Sequence, residues 1–219
     1  MRKHNLAFVD IETTGFEPEK HEIIELGVVL VRQIGEEGKE FEVIEEIEFK
    51  IKPEHIESAD PQSLKVNGYD PAQWVFANTL TEAMKVFAAK TKDAIFVAHN
   101  VGFDYWFVYN EFKRLGMEFF APKLCTVMLA KKLIKDLQYA NLDALSEYYG
   151  IKISARHRAL PDAEATAIVL NELIKIAKTE YGAQTFSDLE RLQRIKVRKQ
   201  NNVLLNQTLF FGNNVELSK

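Results

Sequence analysis

Leu6-Ala7-Phe8-Val9-Asp10-Ile11-Glu12-Thr13-Thr14-Gly15 decides how the rest of the chain is read. Residues 5–12 alternate as a strand does: Leu6, Phe8 and Asp10 point one way, Ala7, Val9 and Ile11 the other. Strand side chains repeat every two residues, so Glu12 joins Asp10 on the Leu6/Phe8 face. An apolar stripe therefore ends in two carboxylates, and Thr13-Thr14-Gly15 turns the backbone sharply after them. Two adjacent carboxylates repel unless a cation lies between them. A hard divalent ion with oxygen ligands meets that need. The Asp-x-Glu spacing alone carries little, because Asp162/Glu164 and Asp188/Glu190 repeat it. What singles out the first pair is its place at the end of an apolar strand.

Working outward, residues 22–33 are rich in Ile and Val, and residues 39–52 read as a long strand with outward Glu and Lys. Gly35 and Gly38 mark the turn between them. Three strands joined by short links predict an antiparallel meander. Residues 53–71 read as loop with a short helix near Ser63, and Thr81 to Lys90 reads as helix. Ala94-Ile95-Phe96-Val97-Ala98 is a short, wholly apolar run, the pattern of a buried parallel strand. Helices follow over Phe103–Leu115, Thr126–Lys135, Asn141–Tyr149 (stopped by Gly150) and Asp162 to about Lys178, with Pro161 in the first turn of the last. The sum is an α/β fold, a mixed sheet covered by helices. Residues 1–180 read as one domain and 181–219 as an extension of different composition.

Two further acids stand in telling places. Asp104 follows the buried strand in His99-Asn100-Val101-Gly102-Phe103-Asp104. Asp162 opens the last helix in His157-Arg158-Ala159-Leu160-Pro161-Asp162. Taken singly, each reads as a helix-start acid favoured by the helix dipole. Taken together, four carboxylates from a strand and two helix starts fit one site. Such a set can hold two Mg2+ or Mn2+ ions about 3.5–4 Å apart for in-line attack of water on a phosphodiester. His157, with an ordinary pKa near about 6.5, can take the proton of that water.

Asp10-Ile11-Glu12-Thr13-Thr14-Gly15, His99-Asn100-x-x-Phe103-Asp104 and His157-x-Ala159-Leu160-x-Asp162-Ala163 resemble the three motifs of the DEDDh, or DnaQ-like, 3′→5′ exonucleases. That family includes the proofreading epsilon subunit of bacterial DNA polymerase III. Pro61 to Gly68, Thr126 to Lys131 and Asn141 to Leu145 support the resemblance, which spans about residues 5–178. It implies an RNase H-like fold, with the meander extended by parallel strands and flanked by helices, and two divalent cations, Mg2+ or Mn2+. By motif position Asp10, Glu12, Asp104 and Asp162 would be the metal ligands and His157 the general base. Glu12 would also contact the terminal 3′-hydroxyl. Thr13, Thr14 and Phe16 would border the 3′-terminal nucleotide, and Asn100 and Phe103 would shape the same pocket. The implied products are nucleoside 5′-monophosphates. The chain departs from many relatives in having Asn67, where they carry histidine, and Cys125, where they carry aspartate. Asn67 can contact substrate by hydrogen bonding but not by charge.

Composition sets bounds on these readings. With 219 residues the chain suits one domain plus an extension, at about 100–200 residues per domain. Lys and Arg number 28 against 32 Asp and Glu, so no overall basic surface advertises nucleic acid. A single cysteine, Cys125, allows no internal disulfide and reads as a small buried hydrophobe. No run approaches the roughly 18 apolar residues of a membrane span, and a cytoplasmic protein is expected. Phe103, Tyr105, Trp106, Phe107 and Tyr109 crowd one helix, and all but Phe103 are expected in the core.

The expected substrate is nucleic acid with a free 3′ end, DNA in preference to RNA. The alternatives are an exoribonuclease of the RNase T-like or oligoribonuclease-like kind, and a non-catalytic module that binds nucleic acid or a polymerase. Five cations between Arg191 and Lys199 would add sequence-blind phosphate contacts. Gln207 to Phe211 loosely resembles peptides that bind sliding clamps, so the tail is a candidate for clamp or polymerase contact.

Overall fold

The opening stretch forms β1 (Asn5–Thr13), the centre of a five-stranded sheet in the computed structural model, which describes residues 5–36, 39–135 and 137–194. β2 (Ile23–Glu36) pairs antiparallel with β1, and β3 (Lys39–Lys50) antiparallel with β2. β4 (Ile95–Ala98) lies parallel on the other side of β1, and β5 (Lys123–Cys125) parallel beyond it. The order is β3-β2-β1-β4-β5, the meander with parallel strands that the sequence predicts. β5 was not anticipated as a strand, since three residues are too short for a period.

Alternation along β1 is realised as two cores. Leu6 and Phe8 pack on one side of the sheet, among Leu129, Leu145, Val169 and Leu173. Ala7, Val9 and Ile11 pack on the other, among Met84, Phe87, Phe107 and Phe112. Each fully buried large apolar side chain contributes about 1.5–3 kcal/mol, so a one-residue slip of β1 would empty both cores together.

The helices are α1 (Pro61–Asn67), α2 (Leu80–Lys90), α3 (Val101–Arg114), α4 (Thr126–Leu133), α5 (Leu142–Tyr149), α6 (Ala159–Tyr181) and α7 (Phe186–Arg194). Local chemistry sets their ends. Asn141 caps α5 by accepting from the Ala144 N–H, and Gly150 ends it at φ 66°. Thr79 and Glu82 close a capping box on α2.

One expectation is corrected here. Trp106 and Tyr109, expected in the core, are 48% and 37% exposed, because they lie on the outer face of α3; Tyr105 and Phe107 are buried. The start of the basic tail forms α7, whose Leu189 and Leu192 join the main core. Gln193 donates from Nε2 to the Lys123 carbonyl at 2.9 Å, and the Cys125 N–H donates to Gln193 Oε1 at 2.8 Å. α7 thereby covers the open edge of β5, which would otherwise present unpaired backbone groups. Residues 195–219, including Lys196, Arg198, Lys199 and the Gln207–Phe211 segment, lie outside the described residues. Among the described residues no helix is long and apolar enough to cross a membrane.

Candidate active site

Asp10 and Glu12 stand at the end of β1 on the α6 side of the sheet, where the register shifts between Glu12 and Thr13. Glu12 faces Glu25, but Thr13 faces Ile23, so β2 carries one extra residue there. Such a bulge redirects side chains at the strand end. The chain then turns tightly. Thr13 Oγ1 donates to the Gly15 carbonyl at 2.6 Å, and Thr14 Oγ1 accepts from the Glu22 N–H at 2.9 Å. Gly15 has no room for a side chain, since an added Cβ would lie 2.4 Å from the buried His21 ring. His21 Nδ1 in turn accepts from the Glu17 N–H at 3.0 Å. Sequence reasoning passed over His21; only the fold shows it closing this turn.

Asn67, at the end of α1, is buried and donates from Nδ2 to the Thr13 carbonyl at 3.0 Å. It holds the turn from beneath. Thr13 and Thr14 are buried, whereas Phe16 is 51% exposed and lines a depression with Lys20, Ser58 and Asp60.

Asp104 arrives from the first turn of α3, where it is buried and where the Ile11 N–H of β1 favours its ionised form. Asn100 caps that helix in the left-handed region at φ 72°, and the Phe103 ring rests on Phe107 at 4.9 Å. His99 is hydrogen-bonded through Nδ1 to Thr126 Oγ1 at 2.9 Å, and burial holds its pKa down at about 4. It is a neutral structural histidine.

Asp162 comes from the first turn of α6. Its Oδ2 accepts from the His157 N–H at 3.2 Å, and its Oδ1 is paired with Arg156, which also holds Asp143 on α5. His157 is exposed and left-handed at φ 58°. Histidine is among the non-glycine residues that tolerate that region, at a cost of roughly 1 kcal/mol.

Glu12, His157 and Asp162 each bring a ligand atom within 4.8 Å of the other two. Asp10 and Asp104 stand outside that tight triad but within its electrostatic field. Burial raises the Asp10 pKa well above the usual carboxylate range, and Asp104, Glu12 and Asp162 raise it further. Burial, then Asp162, Glu25 and Asp104, push Glu12 up to about 8; burial pushes Asp104 up to about 8. Burial raises Asp162 as well, against the opposing pull of Arg156. Four carboxylates that are costly to ionise together form a donor set suited to hard divalent cations. All the sequence-predicted acids and His157 therefore converge, from one strand, two helix starts and the turn before α6.

A mixed sheet of this order, crowned by such an acid cluster, defines an exonuclease of the RNase H-like fold class. A family model described as exonuclease matches residues 7–170, and the chain belongs to this RNase T exonuclease family. The DNA polymerase III subunit epsilon of Aquifex aeolicus is 32% identical over 189 residues, covering 86% of this chain and 89% of that protein. The PolC-type DNA polymerase III of Thermotoga maritima is 33% identical over 186 residues, covering 84% of this chain. The chain spans only 13% of the length of that polymerase. Among solved structures, E. coli exonuclease I in complex with a dT13 oligonucleotide superposes with a TM-score of 0.67 at 19% identity, over 82% of this chain and 42% of that one. Exonuclease X in complex with 5′ overhanging duplex DNA gives 0.62 at 21% identity, over 86% of this chain and 98% of that one. Enzymes of this family use divalent metal ions.

Proposed function

We propose that this chain is a 3′→5′ exonuclease that hydrolyses DNA phosphodiesters and releases nucleoside 5′-monophosphates, in proofreading or repair. The observation that carries the reading is the convergence of Asp10, Glu12, Asp104 and Asp162 beside His157. A module that merely binds nucleic acid has no use for buried, mutually repelling acids.

In this reading the four carboxylates hold Mg2+ or Mn2+. Bound divalent ions would supply water of lowered pKa and stabilise the leaving 3′-oxygen. His157 takes the proton of the attacking water at an imidazole nitrogen, and its exposed place lets it hand that proton to solvent. Glu12 also receives the terminal 3′-hydroxyl, which makes an end the point of attack. Thr13 and Thr14 shape the wall beside the last nucleotide, and Asn67 holds the Thr13 carbonyl in place. Phe16 stacks on the terminal base, with Asn100 and Phe103 bounding the opposite side.

Single-stranded DNA with a free 3′ end is the proposed substrate, supported by the dT13 oligonucleotide in the exonuclease I complex. The division into a catalytic domain over 1–180 and an extension over 181–219, with clamp or polymerase contact through the tail, belongs to the same proposal. The test is degradation of matched 3′-labelled DNA and RNA oligonucleotides with Mg2+ or Mn2+, with chelator, and with a 3′-phosphate block. Release of labelled mononucleotide from open-ended DNA alone, abolished by chelator, is expected. Preferential cleavage of RNA, or indifference to the 3′ block, would overturn the reading.

A further inference from the structure

Glu25 lies directly opposite Glu12 across the β1–β2 pair, so the two carboxylates share one face of the sheet. Like charges so placed repel, and the charge of Glu25 is one reason the Glu12 carboxyl is hard to ionise. Glu25 is nonetheless almost completely buried, at 1% exposure. Its Oε2 accepts from Arg158 Nε at 2.9 Å and, at 3.5 Å, from the Ala159 N–H that begins α6. Its Oε1 is buried without a hydrogen-bond partner among the described residues. Arg158 also reaches Glu48 on β3 at 3.7 Å. Beside this anchor, Gly27 lets the helix start close in: a Cβ there would lie 2.3 Å from the Ala159 carbonyl carbon and the Leu160 nitrogen.

These contacts act on the turn that matters most. Arg158 and Ala159 directly follow His157, and Asp162 is one helical turn further on. The left-handed backbone of His157 must be over-determined by its surroundings to persist. On its Asp162 side it is held by its own N–H bond; on the sheet side the holding group is Glu25.

We infer that Glu25 is a positioning residue that, through Arg158 and the Ala159 N–H, fixes the turn presenting His157 and Asp162 to Glu12. In this role it acts through Arg158 and the helix start, not on ions or substrate. The inference rests on the exonuclease reading above and names a group that none of the three sequence motifs contains.

The experiment compares wild type, Glu25→Ala, Glu25→Gln, Arg158→Ala and the Glu25→Ala/Arg158→Ala double variant. Mn2+ binding is measured by calorimetry, and kcat and KM on a single-stranded oligodeoxynucleotide. Glu25→Ala and Arg158→Ala should each lower kcat about 10–100-fold and weaken Mn2+ binding over a similar range. KM should stay within about twofold, since substrate-bordering groups are untouched. The double variant should be no worse than either single one, the signature of a coupled pair. Glu25→Gln keeps an oxygen acceptor for Arg158 and should recover to within about fivefold of wild type.

If Glu25→Ala does not fold, Arg158→Ala and Glu25→Gln carry the test, because the arginine is one-third exposed. Unchanged kcat and Mn2+ affinity in Glu25→Ala and Arg158→Ala would overturn the inference alone. Loss of Mn2+ binding in Glu25→Gln with binding kept in Arg158→Ala would make Glu25 a ligand, which also overturns it. A wild type that binds no Mn2+ and cleaves nothing would instead overturn the functional reading.

Discussion

Glu12 and Asp162 present carboxylate oxygens within 4.8 Å of each other, one from the end of the first strand and one from the first turn of α6. Neither element could hold the other's partner alone. The pair meets because α6 packs along β1 and β2, with its start drawn down over Gly27.

Removing a carboxylate should therefore remove the chemistry without dismantling the fold. Asp10→Asn keeps the shape of the side chain but not its charge. Its exonuclease activity should fall to background while its melting temperature in chelator stays level or rises, as one repelling acid is gone. Calorimetry should show weakened Mn2+ binding. Full activity in this variant would contradict the metal assignment.

His157 stands close enough to Glu12 and Asp162 to be either a base or a ligand, and the two roles separate cleanly. As a general base, His157→Ala should slow hydrolysis by about 10²–10⁴-fold with Mn2+ affinity kept. Activity and Mn2+ titrations on the same preparation decide the matter. Affinity lost in step with rate would mark a ligand.

The acid cluster also predicts how stability varies with pH. In metal-free protein Glu12 and Asp104 titrate at about 8, chiefly because they are buried. In the unfolded chain such groups titrate near about 4. Between those values the folded protein holds protons that the unfolded chain has released, so stability falls as pH rises. The melting temperature in chelator should decline from about pH 5 to about pH 8.5, and the stabilisation added by Mn2+ should grow over the same range. A melting profile in chelator that climbs with pH would contradict this account.

The Arg156 guanidinium favours the ionised forms of both Asp10 and Glu12. It also pairs with Asp143 and Asp162. Arg156→Gln should destabilise the metal-free protein by about 1–3 kcal/mol, between the values for exposed and buried pairs. With a competing cation gone, the gain in melting temperature on adding Mn2+ should exceed that of wild type. An unchanged gain would show that Arg156 and the ions do not share carboxylates.

Gly27 offers a steric test of the same helix start. Gly27→Ala places a methyl group against backbone, not against a side chain that could swing away. Overpacking of that kind costs about 1–3 kcal/mol, measurable by denaturant unfolding. Activity should drop with it, because the displaced segment carries His157 and Asp162.

Much of this molecule is legible in its sequence because the signals are local. Period-two alternation in residues 5–12 assigns Leu6 and Phe8 to one core and Ala7 and Val9 to the other, as observed. Asn141 and Gly150 mark the ends of α5 through capping chemistry that needs no tertiary partner. The acids and His157 could be named because their types and order form motifs. Other features depend on who faces whom. Glu25 sits in a run that reads only as strand, and its meaning comes from register, which sets it against Glu12 and beneath Arg158. Trp106 and Tyr109 look like core residues until α3 turns them outward. α7 looks like a charged tail until Leu189, Leu192 and Gln193 find the edge of β5. Composition and periodicity thus determined which elements form and which side chains could do chemistry. Only packing decided which of those charges are buried together, since burial and proximity are properties of distant segments brought into contact.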